Sequence, residues 1–269
     1  MVAEGEFSAG SVLLAPLAGA IGLPVDQLNF LACQLTALLL SYPYRRLLHP
    51  AIVGPEIRHA ISTILGLLFA YFCFGYQVIH LFFLSTVSYV CMRAFAPSVS
   101  NRVVLVFALS YLSIVHVYRM YYDYGGYTLD VTGPLMIMVQ KVTALGYSIH
   151  DGTVPDDKLT ADQREQRCSK IPNLLEFYSY MFYFHGVMVG PLCFYADYKR
   201  FVEGKNYRRD PVSGIWKDEI TPPDETPSPL FPFLQKLVYT CLCAYIMMII
   251  IPQQGTSGCV NTRGICCVV

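Results

Sequence analysis

Long stretches without a single Asp, Glu, Lys or Arg dominate this chain, and that distribution restricts its fold more than any motif does. Two segments, residues 151–176 and 197–225, hold 23 of the 38 charged residues, and most of the rest is nearly charge-free. Charged residues make up 14% of the 269 and apolar ones 54%. A soluble domain carries about 25% charged residues. With 19 basic against 19 acidic residues the formal net charge is zero, which excludes a basic nucleic-acid binder. The expected fold is all-α, a polytopic transmembrane helix bundle whose principal partner is the lipid bilayer. Glu4 and Glu6 stand where a cleavable signal would carry basic residues, so insertion is expected to rely on the first spanning helix.

Crossing roughly 30 Å of hydrocarbon takes about 20 apolar residues. Charge-free windows of 18, 34, 16 and 20 residues run over 27–44, 59–92, 103–118 and 177–196, and 230–251 is apolar apart from Gln235 and Lys236. The 34-residue window suits two short spans with a break near Gly75. Arg45, Arg46 and Arg58 flank one connection and Arg93 and Arg102 another. Both can face the cytosol only if an even number of spans separates them, which that split supplies. These boundaries give an N-terminal segment 1–22, a membrane-embedded region 23–251 with polar loops at about 151–172 and 197–229, and an irregular tail 252–269.

Residues 131–150 have the length of a span but carry Gln140 and Lys141 at the middle. A mid-bilayer cation costs at least about 2.5–3.5 kcal/mol and faces a cavity or partner unless it reaches the interface. Two readings follow: Lys141 snorkels from a tilted helix, or it lines a polar cavity. Gly133-Pro134 opens this helix, and His150 with Gly152 closes it. The later Gly190-Pro191 ends or kinks a helix. Thr160-Ala161-Asp162-Gln163 has capping-box spacing. Arg208, Arg209, Pro211, Pro222 and Pro223 read as an extended connection. Cys266-Cys267-Val268-Val269 is a poor prenylation signal, because Val is not a usual terminal residue. The irregular tail suggests a truncated or aberrantly spliced end.

The chemistry-bearing residues offer little by spacing. Cys33, Cys73, Cys91, Cys241 and Cys243 lie in apolar runs and read as small packing residues, without zinc or redox spacing. His49 and His59 read as interfacial. His80 and His116 read as neutral rings bonded to carbonyls within spans, and His185 falls in the middle of the 177–196 window. No H-x-x-x-H, P-loop, GxGxxG or G-x-S-x-G is present, so no metal or cofactor is expected. Transporter, lipid enzyme and scaffold all stay open on this reading, although the sequence shows no internal symmetry of the kind that a transporter's two similar halves with paired broken helices would give.

The residues also carry a family likeness. GPLMIMVQKVTALGYSIHDG (133–152) and PNLLEFYSYMFYFHGVMVGPLCFYADYKRFVEG (172–204) resemble signature blocks of the membrane-bound O-acyltransferases, in the lysophospholipid acyltransferase branch. LPVDQLNFLACQLTALLL (23–40) and RHAISTILGLLFAYFCFG (58–75) extend the resemblance upstream. It implies a multi-pass endoplasmic reticulum protein that transfers an acyl group from acyl-CoA, as co-substrate, to a lysophospholipid hydroxyl in phospholipid remodelling. The family's catalytic His sits in Trp-His-Gly and its Asn follows a Trp. The only tryptophan here is Trp216, followed by Lys217, so no catalytic residue is assigned and the chain is expected to be the N-terminal half of an incomplete fold. His185-Gly186 follows Phe184 in an earlier block and does not inherit the role. What the resemblance leaves is substrate-tunnel lining, with Gln140, Lys141, His150, Tyr178, Tyr183 and His185 as candidates. The aromatics among them read equally well as packing and interfacial anchors. The alternative function is a non-catalytic membrane protein that binds lipid or pairs with a full-length relative.

Overall fold

Apolar runs punctuated by Gly and Pro give ten α-helices and one two-stranded hairpin among the described residues. The structure, a computed structural model, describes residues 10–50, 52–122, 128–190, 192–209, 216–220 and 230–256. It divides into two units, Met1–Pro223 and Asp224–Val269.

The N-terminal segment contains a helix that the charge pattern did not suggest, α1 (Ala15–Ile21). Gly22 ends it in the left-handed region (φ 77°), where its N–H caps the Ala18 carbonyl. Pro24 then starts α2 (Val25–Leu47), bent 103° from α1. The long apolar window becomes α3 (Pro55–Phe74) and α4 (Val78–Ala94). Between them Gly75 adopts φ 53° and opens one 3-10 turn, Gly75–Gln77. The break lies where it was expected, but the chain does not double back. Pro55–Ala94 is one 40-residue stretch that meets the length and apolarity of a single span, so the even-number argument loses its premise. Arg58 is no loop marker either, being 2% exposed inside α3.

Helix α5 (Pro97–Tyr122) is longer than its 16-residue window, because its ends carry Arg102 and Arg119 outside the apolar middle. Arg119 ties that end to the next helix through Asp130 (2.7 Å), the Thr132 hydroxyl (3.2 Å) and the Thr128 carbonyl (2.7 Å). Among the described residues two helices are long and apolar enough to cross a membrane, or three if the bent α1–α2 pair is one span. Their outer faces are apolar. Leu39, Val106 and Ile114 are each about two-thirds exposed or more, the inverse of a soluble surface.

At the centre lies α6 (Thr132–Asp151), whose stripe of Leu135, Met138, Val142, Leu145 and Ile149 is buried against α4, α5 and α8 (Leu174–Phe182). The window 177–196 is not a span. α8 stops after nine residues, 183–190 form a turning, non-helical link, and α9 (Tyr195–Glu203) follows. Pro191 itself lies outside the described residues.

The first polar loop contains α7 (Ala161–Gln166), started by the expected capping box: Thr160 accepts from the Gln163 amide, and the Gln163 side chain answers. The second is not simply extended. β1 (Lys205–Arg209) and β2 (Trp216–Ile220) pair antiparallel, with Lys205 opposite Ile220 and Arg209 opposite Trp216. Pro211, Pro222 and Pro223 lie outside the described residues.

In the second unit α10 (Leu230–Thr256) is 27 residues long. It continues one turn past the point where the sequence turns irregular, because Gln253 and Gln254 suit a helix and Pro252 removes a single donor. The terminal Cys-Cys-Val-Val lies outside the described residues.

Candidate functional site

A lysine inside a membrane helix needs a physical account, so the site is built outward from Lys141. It projects from the buried stripe of α6 and is fully enclosed (0% exposed). Its ammonium carries three donors. They reach the carbonyls of Met181 (3.1 Å), Gly186 (3.3 Å) and Tyr180 (3.4 Å), while Nζ sits 4.0 Å from the Tyr183 ring centroid. Tyr180 and Met181 are in the last turn of α8, whose carbonyls have no partners within the helix and carry the negative end of its dipole. Lys141 therefore neither snorkels nor faces an acidic partner. It closes the C-terminus of a neighbouring helix from the side.

The same device recurs. The Arg58 guanidinium, from α3, donates to the carbonyls of Val202 (2.6 Å) and Phe201 (3.2 Å) in the last turn of α9. It lies over the Phe201 and Tyr44 rings at 5.3 and 5.5 Å. Between the two cations runs a buried aromatic block. Tyr183 stacks on Tyr198 (5.1 Å), Tyr180 meets Tyr195 edge-on (5.5 Å), and Tyr198 shares a short hydrogen bond with Ser179. Tyr180 donates to the Cys193 carbonyl (2.7 Å). Gly66 on α3 lets this block approach. A Cβ there would collide with the Phe182 carbonyl, so only hydrogen fits.

Of the six sequence candidates, the structure brings Lys141 and Tyr183 together. Gln140 is exposed on the other side of α6. His150 lies nine residues on, roughly 13 Å along the helix, and its Nδ1 is 3.2 Å from Asp151. The Tyr178 hydroxyl bonds Thr86 (2.7 Å) on α4. His185 is in the link after α8 with its side chain exposed, its ring 5.9 Å from Tyr44. His49 and His59, expected at the interface, are buried at 6% and 4% exposure, and His59 lies 5.9 Å from the Tyr198 ring. His80 bonds the Tyr111 hydroxyl (2.7 Å) instead of a backbone carbonyl. Sequence reasoning missed Arg58, Tyr44, Tyr180 and Tyr198. The signal available was Arg58 itself, a cation at the edge of the longest charge-free run.

Two concavities lie elsewhere. A groove of about 710 Å³ between the N-terminal stretch, α2 and α3 is lined by residues including Ser11, Leu14, Cys33, Thr36, Phe69 and Phe72. A cleft of about 350 Å³ among the polar segments includes Arg167, Lys170, Lys199, Arg200 and Lys205. Four of these five cations are answered locally. Arg167 pairs with Asp156, Lys199 lies 3.7 Å from both Glu176 and Glu203, Arg200 is 3.2 Å from Asp197, and Lys205 is 2.9 Å from Glu203. Cys168 at its edge donates to the Lys170 carbonyl, and burial pushes its thiol above the ordinary range. Among the described residues no three His, Cys, Asp or Glu side chains converge as a metal site would require.

Helical spans, an outward apolar surface and cations spent on backbone carbonyls define an integral membrane protein. Residues 116–257 match the membrane-bound O-acyltransferase family, and the chain belongs to it. It is 43% identical over 250 residues to lysophospholipid acyltransferase 6 of Drosophila melanogaster, covering 91% of this chain and 34% of the relative. It is 42% identical over 231 residues to membrane-bound glycerophospholipid O-acyltransferase 2 of Gallus gallus (85% and 45%). The type 1 protein of Homo sapiens is 36% identical over 241 residues (89% and 49%). The chain thus spans a third to a half of the length of these curated relatives.

Proposed function

We propose that this chain serves lysophospholipid O-acyl transfer in the endoplasmic reticulum membrane, in which an acyl group moves from acyl-CoA to a lysophospholipid hydroxyl. The observation that carries the reading is the identity above 40% over 85–91% of the chain to relatives named for that acyl transfer. The reaction needs a base to take the hydroxyl proton and donors to hold the thioester oxyanion. These 269 residues contain neither Trp-His nor Trp-Asn. Their contribution is the frame. Lys141 and Arg58 fix α8 and α9 through backbone carbonyls, and the aromatic block between them is the proposed wall of the acyl path, with Lys141 and Tyr183 at its core. Gln140, His150, Tyr178 and His185 remain proposed contacts for head group or coenzyme at its periphery.

The test is a chimera in which these residues replace the matching part of the Gallus gallus relative, assayed in microsomes with labelled acyl-CoA and lysophosphatidyl-ethanolamine, -serine and -choline. Turnover above vector background supports the reading. A chimera that inserts and unfolds cooperatively but transfers nothing sinks it. The 269 residues expressed by themselves are predicted to give no transfer.

A further inference from the structure

Two buried thiols face each other across different helices. Cys33 on α2 and Cys73 on α3 are each 5% exposed, and the Cys73 thiol donates a hydrogen bond to the Cys33 sulfur at 3.5 Å. They are 40 residues apart in sequence and share no motif, so the contact is a product of the fold. A disulfide requires about 2.05 Å, so the sulfurs stand about 1.5 Å beyond bonding distance. Cys33 also lines the 710 Å³ groove, whose other walls include Leu14, Leu68, Phe69 and Phe72. The N-terminal stretch is fastened over the pair: the Ser11 amide donates to the Phe72 carbonyl (2.9 Å), Asn29 donates to the Ser11 carbonyl (2.7 Å), and Gly10 lies against the Cys73 carbonyl.

We propose that Cys33 and Cys73 are a redox-modification site that closes to a disulfide when an apolar organic hydroperoxide enters this groove. Cys33 lines the groove and accepts the hydrogen bond from Cys73, which places it as the attacking sulfur. Cys33 sulfur attacks the distal peroxide oxygen and the O–O bond breaks. The alcohol leaves with the thiol proton, and Cys33 becomes a sulfenic acid. Cys73 sulfur then displaces that hydroxyl, forming the S–S bond and releasing water. Overall two thiols and one hydroperoxide give one disulfide, one alcohol and one water. The product pins α2 to α3 beside the Gly75 break. The apolar walls admit a membrane-soluble oxidant and exclude a charged one.

The experiment treats the whole chain in lipid nanodiscs with cumene hydroperoxide or with oxidised glutathione, blocks remaining thiols under denaturing conditions, and maps cross-links by peptide mass spectrometry. Expected is a Cys33–Cys73 link after cumene hydroperoxide, reversed by dithiothreitol, with two fewer blocked thiols and none of this after oxidised glutathione. Cys91→Ser should leave the link intact, whereas Cys33→Ser should abolish it. Over-oxidation of Cys33 without a link, a link to another cysteine, or equal reaction with oxidised glutathione would each overturn the proposal. The unsubstituted chain alone decides, so a variant that fails to fold does not protect the idea.

Discussion

At the scale of single residues, the chain uses its buried cations as caps. An unpaired ammonium in hydrocarbon is costly, and so are helix-terminal carbonyls without donors; joining one to the other satisfies both. Lys141→Met keeps the side-chain length and removes the donors, leaving the Tyr180, Met181 and Gly186 carbonyls unmatched. At about 1–3 kcal/mol for a buried group left unsatisfied, and with apolar gain offsetting part of that, a loss of about 2–4 kcal/mol is expected. Gln140→Met, next door on the exposed side, should stay within about 0.5 kcal/mol. Thermal unfolding in detergent micelles by circular dichroism compares the two, and equal midpoints would refute the capping role. His49, outside the spans, belongs to the same scale. Burial, then the charges of Arg58 and Arg45, hold its pKa below the ordinary imidazole value. The unfolded chain therefore takes up the proton first as pH falls. Stability from this residue is complete above about pH 6.5 and declines below it. A pH series of unfolding midpoints should show that decline in the native protein, and a flatter slope for His49→Gln.

At the scale of elements, close approach decides what the short helices can do. α8 and α9 are nine residues each, too short to be stable alone. α8 is held at its start by a capping box, Asn173 with Glu176, and at its end by Lys141. Asn173→Ala should cost about 1 kcal/mol, the usual value of a lost N-cap. Gly66→Ala should cost more, because the added carbon meets the Phe182 backbone carbonyl, which cannot rotate away. A fall of about 2–4 kcal/mol, in the range of serious core disruption, is the expected outcome by the same unfolding assay. An unchanged midpoint would mean that α3 and α8 are not in contact through this glycine.

This scale also shows what the sequence could reveal. Charge-free windows located α2, α3, α4 and α5, and the Gly75 break and the Thr160 capping box were readable because each depends on residues adjacent in the chain. The window 177–196 misled because burial between other helices leaves the same apolar signature as burial in lipid. Phe177, Met181, Val187 and Met188 are apolar because protein encloses them. The site was legible only in part. Lys141 stood out as a cation out of place, but its acceptors are backbone carbonyls, which every residue possesses and no composition advertises. Arg58 reads from sequence as a loop charge for the same reason.

At the scale of the whole molecule, the decisive quantity is where the apolar surface points. Leu39, Val106, Ile114 and their neighbours are exposed along α2 and α5, while Lys141, Arg58 and the rings of Tyr180, Tyr183 and Tyr198 are buried. In water each fully exposed leucine or isoleucine forgoes about 1.5–3 kcal/mol of burial, so tens of such positions would outweigh a net stability of about 5–15 kcal/mol. The arrangement is sustainable only if hydrocarbon replaces water around these helices. Membranes containing the chain, washed with alkaline carbonate, should therefore retain it in the pellet, and detergent should be needed to release it. The inward polar network predicts a further difference. A lysine placed at Leu109, near the middle of α5 and 48% exposed, has no carbonyl cluster to meet and must bear the mid-bilayer penalty of at least about 2.5–3.5 kcal/mol that Lys141 avoids. Leu109→Lys should lower the membrane-integrated fraction in translation-coupled microsomes, whereas Gln140→Lys, one residue from Lys141 but on the exposed side of α6, should lower it less if that face meets polar surroundings and equally if it meets lipid. Comparing the two variants assigns the environment of α6 independently of any acyl-transfer assay.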